Sequence, residues 1–283
     1  MKLPAGKQLG AKRKIFMMIS LIPATGVFAG FCIYGIMDLN TIILVSIGLG
    51  ASFPGTIAGG AGLITVPAMM LIGIPVQTSI ATNKFSSGIA AASSVFYLLH
   101  RKQVGGITIL YIFLLALAGG IGGALWTSHL QEKSMKVLAF CLLCFALAVN
   151  LKSKKWSLNP DSQSYSINKR NIYYPILIAA YDGGFGPGSS TFSILYFMKH
   201  NSSYKDAAQL TRVLIFGSCA GGFIVFYQNG FIHWPYAVAM ALGSTVGSQI
   251  GILTLPKIPT KIAKYLLNLI ICLLIIQMLI EII

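Results

Sequence analysis

Three ionisable side chains, Lys84, Asp182 and Arg212, stand inside stretches of sequence that are otherwise apolar. A charge in such a setting is costly, and it ordinarily marks a ligand, an ion path or an ion pair. Asp182 is the only carboxylate well inside an apolar segment, and it cannot sit there alone and charged. It pairs with Lys84 or Arg212, takes up a proton, or faces a cavity. Lys84 and Arg212 each follow a residue with a hydrogen-bonding side chain, Asn83 and Thr211. A cation beside such a group can grip an oxyanion through charge-assisted hydrogen bonds. Two glycine-rich stretches, Ala58-Gly59-Gly60-Ala61-Gly62 and Gly186-Pro187-Gly188-Ser189-Ser190, precede short apolar segments. A helix that starts there leaves its first N–H groups unpaired at the positive end of its dipole, where an anion satisfies them. Ser189 and Ser190 add hydroxyls. The candidate anion contacts are therefore Lys84, Arg212, Asn83, Thr211, Gly60, Gly62, Gly188, Ser189 and Ser190, with Asp182 as an ion-pair or coupling residue.

Each of these has a structural alternative. Long cationic side chains can snorkel back to lipid headgroups, Asn83 and Thr211 can tie helix to helix, and the glycines can serve tight helix crossings. The four histidines, His100, His129, His200 and His233, lie at segment ends, where interfacial anchoring is the default. None is placed to act as base for Ser87 or Ser189 in an intramembrane serine protease. The five cysteines lie in apolar stretches, and Cys141 with Cys144 has neither a second pair nor a nearby histidine, so no metal site is expected. A Gly-x-x-x-x-Gly-Lys-[Ser/Thr] loop is absent, and no cofactor is expected; the driving force would be an ion gradient or the solute's own.

The elements that position these residues are membrane helices. The chain of 283 residues is 55% hydrophobic and only 10% charged, with a mean hydropathy of +0.77; soluble globules carry about 25% charged residues. Apolar stretches from Ile15 to Met37, Thr78 to Leu99 and Gly105 to Thr127 each suffice for a ~30 Å hydrocarbon core, which takes about 20 helical residues. Strict alternation of the kind a membrane β-barrel needs is missing from runs such as Val137 to Val149 and Leu266 to Ile276. The formal charge of +15 would suggest nucleic acid in a soluble chain, but the basic residues cluster between apolar spans, which is an orientation signal. Ile15 to Met37 follows a basic tail and lacks a small-residue cleavage site before Asp38, so it is expected to remain as a first helix.

A shift of 128 positions carries Gly55 onto Gly183, Gly60 onto Gly188, Gly119 onto Gly247, Gly123 onto Gly251, Asn83 onto Thr211 and Lys84 onto Arg212. Each half then reads as a glycine-rich pair, Thr41 to Ala58 with Leu63 to Ile74 and Ile172 to Gly186 with Ser190 to Met198, followed by three longer helices. The second member of each pair has about 12 residues, some 18 Å, and is read as a half-helix or re-entrant element. The organisation is a basic tail and leading helix over 1–40, a first repeat over 41–150, a basic linker over 151–171 and a second repeat over 172–283. With the tail inside and each pair entering and leaving by one face, all but four of the 21 Lys and Arg residues fall inside. Lys133 and Lys136 fall outside, and Lys84 and Arg212 lie within spans. The N-terminus is then cytoplasmic, the C-terminus is outside and the halves are inverted, a common transporter plan. In that arrangement Lys84 and Arg212 enter from opposite faces, each about 9 Å down its helix, and reach toward the midplane.

The run Ala58-Gly-Gly-Ala-Gly-Leu-Ile-Thr-Val-Pro67, the run Ser79-Ile-Ala-Thr-Asn-Lys-Phe85 and the run Gly186-Pro-Gly-Ser-Ser190 together resemble the sulfite exporter TauE/SafE family of bacterial membrane permeases. The resemblance covers roughly Thr41 to Ile280. It implies a duplicated helical permease of the cytoplasmic membrane that moves sulfur-containing anions such as sulfite or organosulfonates, usually outward. Ser189-Ser190-Thr191 stands where many relatives carry a further glycine, and Ala61 interrupts the first glycine run; these departures bear on substrate more than on fold. The expectation is an all-α secondary transporter working by alternating access, with a small anion and the bilayer as partners, no nucleic acid and a homodimer as an open arrangement. Rival expectations are a carrier of another small anion and a non-transporting scaffold subunit.

Overall fold

The computed structural model describes residues 39–58, 60–101, 106–130, 173–199 and 204–254, with scattered helical positions over 134–148 and 262–280. The expected leading helix, the linker over 151–171 and the C-terminal end after 280 lie outside the described residues. Among the described residues eight helices have defined bounds, in order: α1 Leu39–Ala58, α2 Ala61–Leu71, α3 Val76–Arg101, α4 Gly106–Ser128, α5 Tyr173–Gly184, α6 Ser189–Lys199, α7 Tyr204–Gln228 and α8 Trp234–Thr254. Among the described residues there is no strand. Four of the helices, α1, α4, α7 and α8, have the length and apolarity to cross a membrane. The 26 residues of α3 are long enough as well, but Asn83, Lys84 and several serines make it more polar.

The 128-residue shift reappears as geometry. It carries the bounds of α2 onto those of α6 and the first residues of α3 and α4 onto those of α7 and α8. The breaks correspond too, for Gly60 and Gly188 both have positive φ, 94° and 83°, a left-handed conformation that L side chains resist. The chain therefore stops one helix and starts another at the same place in each half. At 11 residues each, α2 and α6 span about 17 Å and are too short to cross. Gly73, φ 86°, ends α2 with Gly73 N donating to Met70 O and Ile74 N to Met69 O, so the last carbonyls are satisfied before α3 begins.

Packing interlocks the halves. At the centre α3 lies against α7; α1 packs on α8 and α5 on α4, and α4 packs on α7 as α8 does on α3. Exchanging α1–α4 for α5–α8 leaves this set of pairs unchanged. Each broken helix thus rests on the fourth helix of the other half. Small residues make these crossings close: a Cβ on Gly119 or Gly123 would run into the backbone of Ile176 or Ala180 in α5, and one on Gly243 or Gly247 into that of Val45 or Leu49 in α1. The spacing by four therefore serves packing, as its sequence suggests. One apolar core gathers Leu44, Met69, Ile80 and Phe226 and a second gathers Phe197, Leu210, Val213 and Ile194.

Candidate functional site

Helix α3 begins at Val76 and α7 at Tyr204, two residues earlier than Thr78 and Asp206, so Lys84 and Arg212 stand about 12 Å along their helices rather than 9 Å. Neither snorkels. Lys84 is 0% exposed and Arg212 8%, both enclosed by protein. Each crosses to the other half and reaches the carboxyl end of a broken helix: Arg212 Nη2 donates to Gly55 O in the last turn of α1 at 3.1 Å, and Lys84 Nζ donates to Asp182 O in the last turn of α5. Cations belong at that end, where unpaired carbonyls concentrate the negative pole of the helix dipole. The equivalence of Lys84 and Arg212 is thus one of position and of capping role.

Their further surroundings differ, because Pro54 in α1 is replaced by Asp182 in α5. Lys84 Nζ lies 3.7 Å from Asp182 Oδ1, so the carboxylate's cation is Lys84. Oδ1 also accepts from Ser189 Oγ at 2.5 Å, and Oδ2 accepts from Ser218 Oγ and, at 3.5 Å, from Cys219 Sγ. Asp182 is 4% exposed, and this set of donors satisfies a charge that would be prohibitive alone. One carboxylate therefore ties α5 to α3, α6 and α7. Gly186, φ 99°, makes room, since a Cβ there would come within 2.6 Å of Lys84 Nζ.

A small cavity with polar side chains in its wall opens between the halves where both helix breaks meet. Its wall includes Gly62, Asn83, Asp182, Ser189, Ser190 and Arg212. Gly62 and Ser190 are equivalent under the repeat and sit in the first turns of α2 and α6, so the positive ends of two short helices border one space. Asn83 Oδ1 accepts from Thr65 Oγ1 at 2.7 Å and from Ser87 Oγ at 3.1 Å. That orients Nδ2 toward Gly62 and Gly186, where added Cβ atoms would lie 3.2 and 3.5 Å from it.

Other expected residues fall behind the wall. Thr211 donates to Ser193 Oγ at 3.1 Å, which repeats the Thr65 to Asn83 bond 128 positions earlier and ties α7 to α6. Gly60 and Gly188 shape the breaks and are not part of the cavity lining, and Lys84 meets Asp182 rather than the open space. Sequence reasoning did not single out Ser52, Ser248, Ser218 or Cys219. Ser248 accepts from Thr56 Oγ1 at 3.1 Å and lies 3.4 Å from Ser94 Oγ, and Cys219 borders both Asp182 and the cavity. A serine or cysteine in an apolar helix carries no signal by itself; only the shift that pairs Cys219 with Ala91 and Ser248 with Gly120 hints that these positions differ between halves.

Helices of membrane-crossing length around a buried, charged cavity define a multi-pass helical membrane protein. The sequence pattern of the family described as sulfite exporter TauE/SafE matches residues 44–278, and the chain belongs to that family. It is similar to the probable membrane transporter protein ORF9 of Sinorhizobium sp, 34% identical over 203 residues, 71% of this chain and 77% of that one. A probable membrane transporter protein of Haemophilus influenzae is 30% identical over 211 residues, 74% and 82% of the two chains. The probable membrane transporter protein YfcA of Escherichia coli K12 is 26% identical over 211 residues, 74% and 78%. No solved structure matches the chain.

Proposed function

We propose that this protein is a secondary transporter that exports small sulfur-containing anions, sulfite or organosulfonates, across a bacterial cytoplasmic membrane by alternating access of two inverted halves. The observation that carries the reading is the placement of Arg212 in one cavity with the first turns of α2 and α6. A guanidinium presents paired donors to an oxyanion, and the two helix starts and the Asn83 amide supply further positive character around it. Ser190, in the cavity wall, adds a short donor suited to sulfur–oxygen groups, and Ser189 beside it holds Asp182 in place. Lys84, Thr211, Gly60 and Gly188 act one layer out: Lys84 by holding Asp182, the others by fixing the two breaks. The helix bounds that recur at a 128-residue offset support a division into two repeats, 41–150 and 172–283. The inverted arrangement, with the short helices re-entering from opposite faces, follows from the distribution of Lys and Arg.

Purified protein in liposomes should release preloaded sulfite or methanesulfonate faster than protein-free vesicles, without ATP. Release of other small anions only would overturn the substrate assignment, and absence of any flux would favour a scaffold subunit. Orientation has its own check. Reporter fusions should find the N-terminus in the cytoplasm and the C-terminus, after Glu281, outside; both ends on one side would remove either the leading helix or the inversion.

A further inference from the structure

We propose that the seam between α3 and α8 is the route by which water and a small anion reach the cavity, and that the equivalent crossing of α7 on α4 is a dry barrier. The inference rests on reading the cavity as the anion site. The two crossings correspond under the 128-residue shift, yet their residues differ in kind. On α3, Ser86, Ser87, Ser93 and Ser94 stand where α7 has Leu214, Ile215, Gly221 and Gly222. On α8, Ser244, Thr245, Ser248 and Gln249 stand where α4 has Ala116, Leu117, Gly120 and Ile121. Each exchange sets a hydrogen-bonding side chain against an apolar residue or glycine. The polar residues of α7 at this level, Ser218 and Cys219, turn instead to Asp182 in α5.

The crossings are built differently as a result. A Cβ on Gly221 would come within 2.4 Å of Leu117 O in α4, and one on Gly222 within 2.6 Å of Gly183 O in α5. Backbone there lies on backbone, and no water fits between. In α3 the same two places hold Ser93 and Ser94, whose hydroxyls meet α8: Gln249 Nε2 donates to Ser93 Oγ at 2.7 Å, and Ser248 Oγ lies 3.4 Å from Ser94 Oγ. Side-chain hydrogen bonds of this kind hold membrane helices only weakly, and water replaces either partner at small cost when the helices part. The Thr245 hydroxyl has no partner, although the residue is only 8% exposed. Thr245 stands three and four residues before Ser248 and Gln249, which places it on the face of α8 turned to α3. A buried hydroxyl left unpaired is costly, and water or an oxyanion entering the seam satisfies it. The cavity has the same bias, for its wall takes Ser87 from α3 and Ser248 from α8 but, among the described residues, none from α4.

Thiol labelling of full-length variants in proteoliposomes tests the route. The probe is sulfonatoethyl methanethiosulfonate, an anion that modifies thiols reached by water, added on both sides of the bilayer and read by mass spectrometry at each position. Ser94→Cys and Ser244→Cys should be modified about tenfold faster, or more, than Ala116→Cys. Ala116 is the equivalent of Ser244 and equally buried, each 1% exposed. Saturating methanesulfonate should slow the modification of both seam variants. Should a cysteine variant fail to fold, Ser94→Thr and Ser94→Val, alike in shape, isolate the hydroxyl: methanesulfonate flux should be several-fold faster in Ser94→Thr at equal Kd. Equal labelling of Ala116→Cys and Ser244→Cys, or equal flux in Ser94→Thr and Ser94→Val, overturns the route and leaves the anion site standing. Labelling that methanesulfonate does not slow, in protein that binds it by calorimetry, overturns passage of the anion along the seam. Absence of methanesulfonate binding in the wild type overturns the reading of the cavity, and the anion's route with it.

Discussion

Arg212→Gln should bind sulfur oxyanions at least a hundredfold more weakly than the wild type while still reaching the membrane. Arg212 is the cation in the cavity wall, and truncating one partner of a buried, charge-assisted contact costs about 3 kcal/mol, which is over two decades in Kd. The side chain also caps Gly55 O, so some of the loss will appear as instability, and a second substitution separates the two effects. Arg212→Lys keeps the charge and a donor for the α1 carbonyl but replaces the planar fork by a point charge. It should restore thermal stability more fully than it restores affinity. Titration of purified variants with sulfite and methanesulfonate, read beside their melting curves, decides the matter. Wild-type affinity in a well-folded Arg212→Gln protein would sink the proposed role and leave capping as its whole function.

The sequence made the frame legible because membrane helices advertise themselves by length and because the duplication repeats its punctuation. Gly60 and Gly188 mark the same break, and the short helices after them begin and end in register. That the two cations share one helical position was readable too, but snorkelling stood as an alternative to burial until the structure enclosed both. Which cation takes the carboxylate was not readable. Asp182 has no counterpart in the first half, and the choice between Lys84 and Arg212 depends on how α5 crosses α3 and α7, which is tertiary packing and leaves no periodic trace. The same limit hid Ser218 and Cys219. Their donors matter only because Gly120, Gly183 and Gly222 bring the α4, α5 and α7 backbones together beside them, and a glycine in an apolar run reads alike whether it faces lipid or another helix.

That glycine crossing carries the largest expected effect on stability. A Cβ on Gly120 would overlap the backbone of Ser218, one on Gly183 the backbone of Gly120, and one on Gly123 the carbonyl of Ala180. The obstacle in each case is main chain, which cannot swing aside as a side-chain end can, so relief requires two helices to separate. Overfilling a packed core ordinarily costs about 1–3 kcal/mol, and Gly120→Val should reach or exceed the top of that range, about 10 °C in Tm for a chain of this size. Separation of α4 from α5 and α7 would also displace Asp182 from Ser218, so anion binding should fall along with Tm. Gly122 is the internal control, since it lies in the same helix with nothing within 4 Å of an added Cβ. Gly122→Ala should be neutral or raise stability by up to about 1 kcal/mol through helix propensity. Melting curves of both variants in one detergent test the comparison. If Gly120→Val melts within about 2 °C of the wild type, α4, α5 and α7 are not packed backbone to backbone, and the path from this crossing to the carboxylate fails with it.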